Sequence, residues 1–146
     1  MAQQPQTGCF EHPVTVRFHE VDRAGIAFFG RAFEYSHAAF EELLGALGLE
    51  EALDGDSWRL PLVSAEADFA KPMRMGDRLC VELAVEQLDA DSVTLRFVLR
   101  GPHRDDVRAT VRHVHAAVDA ARYQPITLPR ELADGLARLS LIRDEG

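Results

Sequence analysis

The sequence predicts an α+β domain in which one long, mostly buried helix is wrapped by a five-stranded antiparallel sheet. Three observations carry this. Residues Arg31 to Leu47 repeat apolar side chains at helical spacing. Four strand-like runs then follow between about residues 60 and 118, joined by turns too short for parallel crossovers. One further alternating run precedes the helix, so an apolar helix and a sheet are available to cover each other.

Taken in order, residues 1–12 show no periodicity and read as a loose leader, which places the folded domain at 13–140. Val14 to Phe18 alternates apolar and polar residues like a half-buried strand. His19 to Gly30 follows neither period, holds glycines at 25 and 30, and reads as a shaped loop. In the helix, Phe33, Phe40, Leu43, Leu44 and Leu47 share one side, while Glu34, His37, Glu41 and Gly45 mark a narrow wet stripe. Gly48 is the expected stop, because glycine adopts the left-handed conformation that ends helices without a Cβ penalty.

A polar connection over 49–59 leads into strands at Leu60 to Ala70, Leu79 to Leu88, Val93 to Arg100 and Val107 to Val118. Turns at Asp89 to Ser92 and Gly101 to Asp106 separate the last three, and the four strands are expected to form one antiparallel meander. Leu128 to Leu139 is a candidate terminal helix.

Composition narrows the function classes. A net charge of −8 argues against nucleic acid as a partner, since a phosphate backbone needs an excess of Lys and Arg on one face. Apolar stretches are too short to cross a bilayer, the first residues lack the basic and apolar blocks of a signal peptide, and a cytoplasmic protein is expected. The two cysteines, Cys9 and Cys80, form no metal-spaced cluster and are expected to be free thiols. Small anionic ligands remain possible, with basic residues at Lys71, Arg74 and Arg78 and again at Arg100, His103, Arg104 and Arg108.

Elimination leaves few groups for covalent or acid–base work. No serine sits in a Gly-x-Ser-x-Gly turn. His113 and His115 share one strand face but have no third ligand at a recognisable spacing, so no metal is expected, and His37 reads as a surface partner of Glu34 or Glu41. No cofactor is implied. Asp22 precedes Gly25 by three residues and the helix start by about nine, so its carboxylate and the unpaired N–H groups of the helix N-terminus can face one space. Such a pairing suits acyl transfer, with N–H groups holding an oxyanion and the carboxylate activating water or attacking directly. Spacing alone slightly favours Asp22 as a turn former or helix cap.

The run Phe18-His-Glu-Val-Asp-Arg-Ala-Gly-Ile-Ala-Phe-Phe-Gly-Arg-Ala-Phe-Glu-Tyr35 resembles the signature of the 4-hydroxybenzoyl-CoA thioesterase family of hotdog folds. Leu60 to Phe69, with Pro72 and Gly76-Asp-Arg-Leu79, is similar to that family's second strand and following turn. The resemblance implies a hotdog thioesterase domain, a catalytic aspartate at Asp22, and an oxyanion hole at the Phe29 backbone N–H beside Gly30. It also implies a substrate site drawn from Gly25, Phe28 and Ser64, with Lys71, Arg74, Arg100 and Arg104 for the phosphates of CoA. The branch acting on 1,4-dihydroxy-2-naphthoyl-CoA is closest in look, through Leu60-Pro-Leu-Val63 and Phe28-Phe29, although Ala38 stands where that branch often has Glu.

The leading expectation is therefore hydrolysis of an acyl-CoA, in particular an aryl-CoA, by a homodimer or homotetramer. An acyl-carrier-protein thioesterase and a non-catalytic acyl-binding module are the alternatives. A dehydratase or hydratase would need a catalytic histidine lining the helix start, and none is present there. The family branch that acts on short aliphatic and carrier-protein thioesters usually has histidine where this chain has Phe29.

Overall fold

The computed structural model describes residues 9–139. Chain order begins with β1 (Phe10–Thr15), a single 3-10 turn at Phe18–Glu20, and the long helix α1 (Arg31–Leu47). A short helix α2 (Glu51–Asp54) and strand β2 (Trp58–Arg59) follow. Then come β3 (Leu62–Phe69), β4 (Arg78–Leu88), β5 (Ser92–Arg100), β6 (Val107–Ala116), β7 (Val118–Asp119) and the terminal helix α3 (Arg130–Ala137). The main sheet has five strands in the order β1-β4-β5-β6-β3, and β2 pairs with β7 in a separate ribbon.

The inner face of the sheet follows directly from two-residue alternation. Leu79, Val81, Leu83 and Val85 on β4, Val93, Leu95, Phe97 and Leu99 on β5, and Ala109 and Val111 on β6 are all buried. Cross-strand pairs such as Leu83 with Phe97, and Phe97 with Val111, hold them in register. Helix α1 covers this face with Ala32, Tyr35, Ala39, Phe40, Leu43 and Leu44. Gly48 caps the helix at φ +72°, and its N–H donates to the carbonyls of Gly45 and Leu44. Helix α3 closes one end with buried Leu132 and Leu136, and Gly135 lies against the Leu47 side chain, leaving little room for a Cβ.

Two expectations need correction. Strands β4, β5 and β6 form a meander, but β3 does not continue it: β3 pairs with β6 at the far edge of the sheet. A short connection does not compel neighbouring strands to pair when the sheet must close around a helix. The first strand also begins earlier than residue 13. Phe10 to His12 pair with Leu83, Glu82 and Val81, and Phe10 is buried, so these residues belong to the domain. Pro13, which reads as a breaker, is tolerated because β1 is an edge strand. The rest of the expected leader, residues 1–8, and the expected end at residue 140 lie outside the described residues. The expected 49–59 connection contains α2 and β2. No helix among the described residues is long and apolar enough to cross a membrane.

Candidate active site

Asp22 is both turn former and open carboxylate. Its Oδ1 accepts the N–H groups of Ala24 at 2.9 Å and Ile26 at 3.2 Å, and its own N–H donates to the Ile26 carbonyl at 2.8 Å. Gly25 sits between them at φ +80°, a conformation L side chains rarely adopt, and its N–H donates to the Asp22 carbonyl. The loop is fastened to the body by bridges from Val21 to Ala27 and from Ile26 to Arg74. Among the described residues, Asp22 Oδ2 has no hydrogen-bond partner.

Asp22, Phe28, Phe29, Phe69 and Lys71 line one cavity of about 550 Å³. The N–H of Phe28 is taken by the Glu20 carbonyl, and those of Arg31 and Ala32 by Phe28 and Phe29. The N–H groups of Phe29 and Gly30 have no backbone acceptor among the described residues. They stand at the N-terminus of α1, where the partial positive charge of the helix collects. The Phe28 and Phe29 rings, 4.5 Å apart between centroids, are 53% and 61% exposed, which is unusual for large apolar side chains that simply fill a core.

Tyr35 fixes the approach to this loop. Its hydroxyl donates to Glu20 Oε1 at 2.7 Å, and the same oxygen also accepts the Arg17 N–H at 2.9 Å. Burial alone would raise the Glu20 carboxyl, but the bonds from Arg17 and Tyr35 outweigh it and hold Glu20 below the usual carboxylate range.

The expected substrate residues divide. Phe28, Phe29 and Lys71 line the Asp22 cavity, Gly25 is bonded to Asp22 within the turn, Gly30 caps α1 without lining the cavity, and Arg74 borders an adjoining hollow with Lys71 and Arg108. Ser64 is exposed on edge strand β3, at a register shift, and does not line the Asp22 cavity. Arg100 donates to Glu82 at 3.0 Å and to the Arg104 carbonyl at 2.6 Å, and neither Arg100 nor Arg104 reaches that cavity.

Beside the cavity, Arg108 forms a charge cluster that braces the β3–β4 connection. It donates to Asp77 at 2.7 Å, to Asp106 at 3.0 Å and to the Pro72 carbonyl at 3.0 Å, while Lys71 pairs with Asp106 at 3.2 Å. Burial would raise the Asp77 carboxyl, but the bonds from Arg108 and the Arg74 N–H win, and Asp106 is lowered chiefly by Arg108. Both carboxyls titrate lower in the folded than in the unfolded chain, so their stabilisation is present above about pH 4 and fades as pH falls through the folded values. Arg108→Met is accordingly expected to lower the urea midpoint at pH 7 at least twice as much as at pH 3. Equal losses at both pH values would contradict the assignment.

A second cavity, of about 620 Å³, lies on the other part of α1 and shares no lining residue with the first. Its lining includes Phe33, His37, Leu60, Leu62, His113 and His115. The expected surface ion pair of His37 is not formed. Glu34 instead accepts from Arg31 at 2.7 Å, and the His37 ring lies 6.2 Å from that of His115. His113 and His115 occupy inner-face positions and are only 1% and 2% exposed. Burial, with neighbouring histidines adding to it, pushes His113 down to about 4, and burial also lowers His115. Both are neutral imidazoles at pH 7. The convergence of the three histidines is the feature missed in the sequence, and its one signal was two polar residues at positions that strand alternation reserves for the core.

Comparison with known proteins agrees with this architecture. The model of the thioesterase-like superfamily matches residues 16–136. A 1,4-dihydroxy-2-naphthoyl-CoA hydrolase of Acaryochloris marina is 31% identical over 132 residues, covering 87% of this chain and 95% of the relative. That of Synechococcus elongatus is 33% identical over 124 residues, covering 83% and 90%. The crystal structure of a 1,4-dihydroxy-2-naphthoyl-CoA thioesterase from Synechocystis superposes with a TM-score of 0.81 at 24% identity, covering 88% of this chain and 96% of that one, which supports the fold. The sheet order, the single buried helix and the matched span together make this chain a member of the thioesterase-like superfamily with a hotdog fold.

Proposed function

We propose that the protein hydrolyses an aryl-CoA thioester to the free acid and CoA. The observation that supports this is the free Oδ2 of Asp22 in a cavity that is also lined by Phe29, whose N–H at the start of α1 has no backbone acceptor among the described residues. Those N–H groups are donors for the oxyanion that develops as the thioester carbonyl is attacked. In one course Asp22 takes a proton from water, the water oxygen bonds to the carbonyl carbon, and the C–S bond breaks as the tetrahedral oxyanion collapses. The departing CoA thiolate then takes up the proton. In the other course Asp22 attacks the carbonyl itself, and the C–S bond breaks to expel CoA thiolate and leave an acyl–aspartyl anhydride. Water then cleaves that anhydride to the free acid and the Asp22 carboxylate, while its released proton passes to the thiolate.

The relatives' named substrate is a bicyclic aromatic thioester, and the exposed Phe28, Phe29 and Phe69 rings offer an aromatic wall for such a group. Ring-on-ring contact contributes roughly 0.5–1.5 kcal/mol beyond area burial. Lys71 and Arg74, on the connection beside the cavity, are assigned to the phosphates of CoA. Release of free CoA from a thioester panel tests the reading. The kcat/KM for benzoyl- or naphthoyl-CoA is expected to exceed that for hexanoyl- or decanoyl-CoA by roughly tenfold, the ratio that 1.4 kcal/mol supplies. Equal values would remove the aromatic assignment, and no release from any ester would remove the hydrolase reading.

The working unit is proposed to be a homodimer or homotetramer. Among the described residues strand β3 pairs through one edge only, and Leu62, Val63 and Phe69 on it are exposed. An open edge carrying apolar side chains invites pairing with another chain, and natural sheets seldom leave one uncovered. Light scattering at micromolar concentration is expected to give a multiple of the 16.2 kDa chain mass. A stable monomer would contradict it.

A further inference from the structure

We infer that His37, His113 and His115 form a binding site for a divalent late transition-metal ion of the zinc type, open on one side to the larger cavity. The inference is independent of the thioesterase reading and of Asp22, whose cavity shares none of these residues.

Ligand atoms of the three histidines lie within 4.8 Å of one another. A tetrahedral ion bonded at about 2.0–2.1 Å needs nitrogens roughly 3.3–3.4 Å apart, so binding draws the three rings together, with the exposed His37 side chain the freest to move. His115 is already oriented for such a role. Its Nδ1 lies 2.9 Å from the Leu60 carbonyl, so Nδ1 carries the proton and donates, and the lone pair is left on Nε2. A backbone carbonyl fixing the far nitrogen is the arrangement that orients metal-bound imidazoles.

The second observation is the number of polar atoms left without partners. Both ring nitrogens of His113 and Nε2 of His115 are buried and make no hydrogen bond among the described residues. Each such group costs on the order of 1–3 kcal/mol relative to a satisfied one. These two histidines occupy places where the alternation of β6 calls for apolar side chains, flanked by Phe97 at 5.0 Å and Phe40 at 4.9 Å between centroids. Apolar residues would fill that space without the cost. A bound cation takes one lone pair from His113 and that of His115 Nε2, which accounts for two of the three unpartnered nitrogens and leaves the His113 N–H as the third. Three imidazole ligands select zinc, copper, nickel or cobalt over calcium or magnesium, which prefer oxygen ligands. Glu41 and Arg59 also line the cavity, while Glu34 is already paired with Arg31. The fourth coordination position then faces the cavity of about 620 Å³, where a water or a small anionic ligand fits.

The test uses the full, tag-free chain stripped with chelator. It is titrated with zinc chloride by calorimetry and with cobalt chloride by visible absorption. One equivalent is expected to bind more tightly than about 1 µM, with the absorption bands of four-coordinate cobalt. His37→Ala, at an exposed position, keeps the fold and is expected to weaken binding at least tenfold, and His113→Phe to abolish it. Cys9→Ser controls for the other group of candidate ligands, Cys9, Glu11 and Glu82, and is expected to leave binding unchanged. Absence of stoichiometric binding overturns the inference. So does His37→Ala binding as tightly as wild type, or loss of binding in Cys9→Ser.

Discussion

Asp22→Asn is expected to lower kcat by about 10²–10⁴-fold while leaving the fold intact, because a positioned carboxylate acting as base typically contributes that much. The asparagine side chain keeps an oxygen to accept the Ala24 and Ile26 N–H groups, so the turn survives. What it loses is the charge on the oxygen that has no partner. Asp22→Ala separates the two roles. It removes the turn contacts as well, and is expected to lower stability by a further 0.5–2 kcal/mol or so, in the range of losing a cap. Steady-state CoA release and thermal melts of both variants decide the matter. If Asp22→Asn keeps more than about a tenth of the rate, a barrier change below roughly 1.4 kcal/mol, Asp22 is a turn former alone.

Much of the fold was legible because local patterns and tertiary demands coincided. The bounds of α1 at Arg31 and Leu47 follow from apolar spacing and from Gly48, whose left-handed φ the chain needs at that point. Strands β4 and β5 were placed within a residue because their alternation is strict and one face is fully buried. Strand β3 was found but misassigned to a neighbour. Its side chains are mostly exposed on both faces, so its own pattern carries no information about which strand it joins.

The candidate active site was partly legible for a similar reason. Gly25, Phe28 and Phe29 are close to Asp22 in sequence, and a loop leading into a helix keeps them close in space. Arg100 could not be read this way. Whether a strand-end arginine serves a ligand or a neighbour depends on what stands across the ladder, and here Glu82 on β4 stands in reach. The histidine group was illegible for the same physical cause, since His37 meets His113 and His115 only through packing of the helix on the sheet.

Phe97→Ala is expected to have the largest effect on stability, about 3–5 kcal/mol. Strand β5 is the central strand of the five, and Phe97 lies at its middle with no exposure. Its neighbours across the ladder are Leu83 and Val111, both held by main-chain hydrogen bonds on two sides, and His113 packs edge-on against the ring. Backbone fixed in this way cannot collapse into the space a phenyl ring leaves, so both the transfer energy and the cavity term are lost. A typical domain has only about 5–15 kcal/mol in total, and a loss of this size lowers Tm by roughly 10–20 °C. Arg96, the preceding residue, points to the exposed face of the same strand, and Arg96→Ala is expected to stay within about 0.5 kcal/mol. Calorimetric melts of the two variants test the pair. A Tm for Phe97→Ala within a few degrees of wild type would mean that helix and sheet do not share the close-packed core on which the placement of Asp22 and of the three histidines depends.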